Sequence, residues 1–258
     1  MATDGFEITQ KGGCANIVTS SDVAVQELLR KRLSALLPGS GFLCEEEDIH
    51  DLQHQYTWII DPIDGTANYS RGIDNCAICV GLKKDQEMSM GVVYVPRTGE
   101  LFHAVKGQGA YLNGHPIHVS GRPFENAVLC TALPVYYKEH AQVCSQIILD
   151  AFGQCNDIRR FGACAPELCY LAMGRCELYF EYLLSPWDFA AASLIVTEAG
   201  GIISSAQGST LCLTAPGLRA PLPSMRRGIC RTGLFPWPSG CLSAPFPPFL
   251  TRRCTSCQ

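Results

Sequence analysis

The sequence predicts a layered α/β fold, and three of its features do so. A stretch near the start carries apolar residues at spacings of three and four, the middle holds short apolar runs parted by turn residues, and the second half alternates strand-like and helix-like segments. That order implies two layered αβ units, with a mixed sheet in the middle of the chain and a strand–helix pattern after it. At 258 residues and 47% hydrophobic, the chain can bury a substantial core as one large domain or two closely packed ones.

Taken in chain order, Ser20 to Asp22 supply N-cap chemistry. Val25, Leu28, Leu29, Leu33 and Leu36 follow at helical spacing, and Pro38 with Gly39 stops the helix. The apolar pair Phe42 and Leu43 suits a strand end. Residues 56–60 read as another strand, which puts Asp61 at its carboxyl end, where α/β folds collect their ligand sites. Residues 75–83, 88–96 and 100–106 read as three antiparallel strands, and GAYLNGHPIHV as a hairpin turning at Asn113 and Gly114. Beyond Pro134, residues 138–152 suit a helix, NDIRRFG a strand, residues 165–173 a helix stopped by Gly174, and CELYFEY a strand. WDFAAASLIVTEAGG is a helix with a Gly-Gly stop, and GIIS is the last strand.

Charge divides the chain in two. Residues 1–208 carry 14 basic and 24 acidic side chains, a net of −10, whereas residues 209–258 carry six arginines and no acid. The acidic body argues against nucleic acid as principal ligand and suits divalent cations. The last 50 residues hold eight prolines and five cysteines without apolar periodicity, so residues 209–258 are expected to form a largely irregular tail to a domain spanning 1–208. No stretch reaches the roughly 18 apolar residues of a membrane span, and MATDGFEITQK has neither a basic nor an apolar leader region. A cytoplasmic protein with no membrane partner is expected. The 15 cysteines are scattered, and Cys76 with Cys79 lacks a second pair at zinc-ligand spacing, so they read as small apolar residues.

WIIDPIDGTANY, residues 58–69, concentrates the chemistry. Pro62 keeps the chain from turning helical after Asp61, so that Asp61 and Asp64 can both face the strand's end. Two carboxylates on one turn suit Mg²⁺, a hard ion that shares itself between a few carboxylates and a substrate phosphate. Gly65 allows close approach to the backbone, and a helix starting near Asp64 would offer the amides of Gly65 and Thr66 to phosphate oxygens. Alone, the motif also fits an Asx turn that caps a helix. Two further acid sites strengthen the metal reading. FLCEEED can turn one glutamate inward, and Asp188 opens a strongly apolar helix, where a lone acid would otherwise serve the dipole. Three acid sites at element ends point to a bimetal carboxylate cluster.

WIIDPIDGTANY, FLCEEED and PWDFAAASLIVTEAGG closely resemble the three signature segments of the inositol monophosphatase family of Mg²⁺-dependent, lithium-sensitive phosphatases. KGGCANIVTSSD, GAYLNG and RRFGACAPELCYLAMGRCELYFE extend the likeness over about residues 6–205. The resemblance implies an αβαβα sandwich of the sugar-phosphatase type, with the first helix and the last strand–helix pair missing or replaced. It implies two or three Mg²⁺ ions held by Glu45, Asp61, the carbonyl of Ile63, Asp64 and Asp188, with Glu46 the alternative to Glu45 because successive glutamates allow a slip. Gly65 and Thr66 would bind phosphate, while Asp22 and Thr66 would orient and deprotonate the attacking water. Lys11 resembles a lysine near the active site, and Cys164 and Glu181 fall where family members contact the polyol. The implied activity is hydrolysis of a small phosphate monoester, first of all myo-inositol monophosphate, by a homodimer. Fructose 1,6-bisphosphate or 3′-phosphoadenosine 5′-phosphate are the alternative substrates. A non-catalytic member of the family is the third reading.

Overall fold

In the computed structural model of the chain, which describes residues 7–10, 17–46, 49–205 and 228–231, the helix expected from Ser20 is α1, Ser20–Leu36. Strands β1, Ile8–Gln10, and β2, Ile17–Thr19, pair antiparallel just before it. Its N-cap is Thr19 rather than Ser20. The Thr19 amide donates to Asp22 Oδ2 at 2.8 Å, so Asp22 closes a capping box from the third helical position.

A seven-stranded sheet follows in simple order: β3 (Gly41–Cys44), β4 (Tyr56–Asp64), β5 (Ala77–Lys84), β6 (Glu87–Val95), β7 (Glu100–Val105), β8 (Ala110–Leu112) and β9 (His115–Ile117). Only β3 and β4 run parallel. Asn113 and Gly114 both have positive φ, 49° and 79°, as the tight hairpin between β8 and β9 requires.

The second sheet has the order β11 (Asp157–Arg159), β10 (Val128–Thr131), β12 (Leu178–Glu181), β14 (Gly228–Arg231) and β13 (Ile202–Ser205). β10 lies parallel to both β11 and β12, while β14 pairs antiparallel with β12 on one side and β13 on the other. The expectation of an irregular tail therefore gives way at residues 228–231, which fill the gap between two strands of the body. The rest of 209–258 lies outside the described residues. β10 also falls where the sequence pattern raised no strand, because its apolar run is only four residues long.

Alternation along the strands sorts side chains into layers. Phe42, Cys44, Trp58 and Ile60 pack under Leu29 and Leu33 of α1, whereas Leu43 and Ile59 face the opposite way, into the main core. That core is shared with α4, Cys164–Ala172, and α5, Pro186–Glu198. Cys130 and Tyr179 close it from the second sheet. Leu129, Leu178 and Phe180 point outward to Cys144, Ile147 and Ala151 of α3, Ala141–Phe152. The layers thus run α1, seven-stranded sheet, α4 with α5, five-stranded sheet, α3, which is the αβαβα sandwich expected.

Close approach sets α5. A Cβ on Gly91 would stand 2.3 Å from Ala191 O, and one on Gly81 3.5 Å from Ala191 N, so the alanine face of α5 lies against bare backbone. This contact places the first turn of α5 beside the ends of β3 and β4.

Candidate active site

The site grows out of a register change. Between β4 and β5 the pairs are Asp61 with Cys79 and Asp64 with Ala77, so three steps on one strand match two on the other. In a regular strand residues three apart point to opposite faces, and the extra residue of this bulge returns Asp64 to the side of Asp61. Pro62, which has no N–H to donate, occupies the bulge. β4 thus continues beyond Ile60, where the pattern expected its end, and carries both acids on its last four residues.

Glu45 joins them by the same alternation. It follows Leu43 by two, on the α5 side, and its amide donates to Ile60 O at 3.2 Å across the parallel pair. Glu46 follows Cys44 instead. Gln26 of α1 holds its main chain, with Nε2 donating to Glu46 O at 2.8 Å and Oε1 accepting from Glu46 N at 3.0 Å. Asp188 arrives from the first turn of α5, where it closes a capping box on Ser185, whose amide donates to Asp188 Oδ2 at 2.6 Å.

These acids feel one another. Burial first, then the charges of Glu45, Asp64 and Asp188, hold the Asp61 carboxyl well above the usual carboxylate range. Burial and then the charges of Glu45 and Asp64 do the same to Asp188. Asp64 is pushed up to about 7 by burial, against the amides of Ala165 and Cys164, which reach its two oxygens at 2.6 and 3.2 Å. Asp61 Oδ1 accepts from Ile63 N at 3.0 Å. Main-chain amides therefore orient these carboxylates, and no cationic side chain is prominent among the charges acting on them. Among the described residues, no three His, Cys, Asp or Glu side chains are drawn into ligating contact around one point. Hard oxygen donors crowded in a buried place against their own repulsion fit a divalent cation.

Beside the cluster stands Thr66, the first residue of the four-residue helix α2, Thr66–Tyr69. Its hydroxyl lies 3.1 Å from Asp22 Oδ1 and 3.0 Å from Ile63 O. Asp22 is fully buried, and its other oxygen is spent on Thr19. Gly65 precedes Thr66 at φ +86°, a conformation open to glycine at little cost. Helix α2 is too short for much dipole, so what Gly65 and Thr66 offer an anion is N–H groups with no earlier turn to bond.

Opposite, Cys164 opens α4 and is buried against Asp64. Burial pushes its thiol well up, which leaves it a neutral packing group. Glu181 ends β12, accepts a hydrogen bond from the Tyr179 hydroxyl, and adds its charge to Asp64. Asp22, Glu45, Asp61, Ile63, Asp64, Gly65, Thr66, Cys164, Glu181 and Asp188 are thus gathered at one place, while Lys11 lies outside the described residues.

Two neighbours carried no signal in the sequence. Tyr136, in the loop after β10, is 59% exposed, yet burial and the charges of Glu45, Asp188, Glu181 and Asp61 push its phenol up to about 12. Arg160, after β11, places its positive charge near Glu181. Both sit at the carboxyl ends of parallel strands, and only the strand order reveals that these loops share one rim.

Fold and site together define a layered α/β protein with a cluster of buried carboxylates at the strand ends. The model of the inositol monophosphatase family matches residues 2–232, and the chain belongs to that family. Over 207 residues it is 36% identical to the Nus factor SuhB of Escherichia coli strain K12, covering 80% of this chain and 77% of that protein. It is 34% identical over 223 residues to inositol monophosphatase 1 of Solanum lycopersicum, covering 83% and 81%. The crystal structure of the extragenic suppressor protein suhB from Bartonella henselae superimposes with a TM-score of 0.80 at 30% identity, over 89% of this chain and 85% of that one.

Proposed function

We propose that this protein hydrolyses a small phosphate monoester, first of all myo-inositol monophosphate, to the free alcohol and inorganic phosphate. The observation that carries this reading is the Thr66 hydroxyl, held between Asp22 and Ile63 O at the edge of four mutually repelling carboxylates. Glu45, Asp61, Asp64, Asp188 and the carbonyl of Ile63 would hold Mg²⁺, which when bound lowers the pKa of water and neutralises phosphate charge.

The chain's own groups do the rest. Thr66 Oγ1 has one proton and two acceptors within reach, so giving it to Asp22 Oδ1 turns a lone pair toward an incoming water. The water's proton passes to Thr66 Oγ1 as Thr66's own proton passes to Asp22 Oδ1, so a single proton ends on Asp22, whose other oxygen stays on Thr19. The amides of Gly65 and Thr66 hold phosphate oxygens, and Glu181 with the wall at Cys164 orients the alcohol. Because phosphoryl transfer asks mainly for positioning and charge neutralisation, no covalent nucleophile is needed.

Phosphate release from inositol monophosphate, fructose 1,6-bisphosphate and 3′-phosphoadenosine 5′-phosphate, with and without Mg²⁺, tests the reading. Metal-dependent turnover ranked with inositol monophosphate first supports it; another substrate in first place revises the substrate, and no turnover by folded protein overturns it. A second reading, action through a macromolecular partner, is favoured by the name Nus factor carried by the Escherichia coli relative.

A further inference from the structure

Glu167, in the first turn of α4, is 1% exposed, and the reaction as derived makes no use of it. Its Oε1 accepts from the amides of Gly162 at 2.8 Å and Phe161 at 3.2 Å. The Ala163 amide that follows also acts on the Glu167 carboxyl, and the two after it, those of Cys164 and Ala165, go to Asp64. Two acids therefore share the turn from Phe161 to Ala165, Glu167 holding its beginning and Asp64 its end.

That turn is the wall of Gly65. A Cβ on Gly65 would stand 2.8 Å from Ala163 Cβ and 3.0 Å from Asn75 O, so Ala163 and Asn75 close on it together. Asn68, on α2, ties the two walls: its Nδ2 donates to Phe161 O and to Asn75 O, both at 2.7 Å. Tyr170, one turn beyond Glu167, donates its hydroxyl to Asn75 Oδ1 at 2.9 Å and packs edge-on against the Phe161 ring. Glu167 Oε2 is buried without a protein partner among the described residues. A buried carboxyl left with an idle oxygen, and with no cation among the described residues prominent in the charges acting on it, is a costly way to anchor a turn. The turn it anchors is the one that closes on Gly65.

We propose that Glu167 is a positioning residue for the phosphate subsite: its carboxyl holds the Phe161–Ala163 turn against Gly65 and so sets where the Gly65 and Thr66 amides stand. This rests on the phosphatase reading of the site. Burial, with the charges of Glu181 and Asp64, pushes the carboxyl up to about 8, so near neutral pH it is mostly uncharged and glutamine is its nearest substitute.

The test is the affinity for inorganic phosphate in the presence of Mg²⁺, measured by calorimetry on the full chain well below its melting temperature, so that turnover is not needed. Glu167→Gln keeps an acceptor for both amides and should bind phosphate as the wild type does. Glu167→Ala should weaken phosphate by about tenfold, the size of one lost hydrogen-bond anchor, and raise KM for the ester in parallel. A role in stability alone would lower the melting temperature and leave the phosphate Kd and KM unchanged, which would overturn the proposal; so would a glutamine variant as weak as alanine. Should Glu167→Ala not fold, Asn68→Ala removes the other anchor of the turn and is expected to weaken phosphate similarly; unaltered affinity there also overturns it. Wild-type protein that binds phosphate without hydrolysing esters sinks the phosphatase reading and leaves the positioning role to be decided by these Kd values. Wild-type protein that binds no phosphate sinks both.

Discussion

The hydroxyl of Thr66 lies 3.1 Å from Asp22 Oδ1, joining the first turn of α1 to the start of α2 across 44 residues of sequence. Asp22 can serve both ends because the capping box takes only Oδ2. Asp188 repeats the device at α5, with Oδ2 on the Ser185 amide. In each case a helix start aims one carboxylate oxygen at the site, and helix geometry supplies the rigidity that a loop acid would lack.

If the Thr66–Asp22 pair handles the proton, Thr66→Ala should lower kcat by about 10²–10⁴-fold, the usual range for positioned acid–base groups. Thr66→Ser keeps the hydroxyl and should retain most of the rate. Steady-state kinetics on the two variants decides: equal losses would mean that the methyl group, not the proton path, matters.

Metal-free protein should lose stability as pH rises. The folded-state pKa of Asp64 is raised from 3.8 to about 7, and those of Asp61 and Asp188 are also raised, so the folded state binds more protons than the unfolded one above about pH 4. Stability from these groups is fully present below their unfolded pKa and is lost as pH climbs through the folded values. Thermal melts in chelator should therefore give a higher midpoint near about pH 5.5 than near about pH 8, and added Mg²⁺ should narrow the gap by binding the folded state. A midpoint rising with pH in chelator would contradict the shared cluster.

Gly65→Ala meets two penalties at once. The φ of +86° costs a residue with a side chain about 1–2 kcal/mol, and the new Cβ would press on Ala163 Cβ at 2.8 Å, adding about 1–3 kcal/mol. A lower melting temperature with sharply reduced turnover is expected, and differential scanning calorimetry beside a phosphate-release assay checks it.

Cys230→Pro probes the strand that the tail lends to the second sheet. Residue 230 pairs with Tyr179 on one side and Ile203 on the other, so proline there removes a ladder hydrogen bond in the interior of a sheet. The variant should melt well below the wild type. An unchanged melt would show that the five-stranded sheet does not depend on β14.

The legible and illegible parts of the chain differ for physical reasons. α1 carries apolar residues at spacings of three and four, α5 is an apolar run closed by Gly-Gly, and the β5–β7 meander alternates with period 2; each appears close to the limits those patterns set. Asp61 and Asp64 stood out as two acids three apart closing an apolar strand, and Asp188 through the likeness of its segment to the family's. Glu45 and Glu46 could not be separated by spacing, since the choice depends on which face of β3 meets α5 rather than α1. Glu167 and Tyr136 were silent because their importance comes from loops that the parallel order β11, β10, β12 brings to one rim. β14 was hidden for a related reason. Four residues in a stretch rich in proline and arginine show no alternation, and only the two strands on either side of them make them a strand.

One comparison bears on the whole: hydrolysis of inositol monophosphate as a function of Mg²⁺, in the wild type and in Asp61→Asn. Asp61 is almost fully buried among three other acids, so the neutral amide should preserve the fold, or steady it when metal is absent, while removing a ligand from the centre of the cluster. Saturable Mg²⁺-dependent turnover in the wild type, abolished in a variant that melts no lower in chelator, is the expected result. Near-normal turnover by Asp61→Asn, with the same Mg²⁺ dependence, would contradict it.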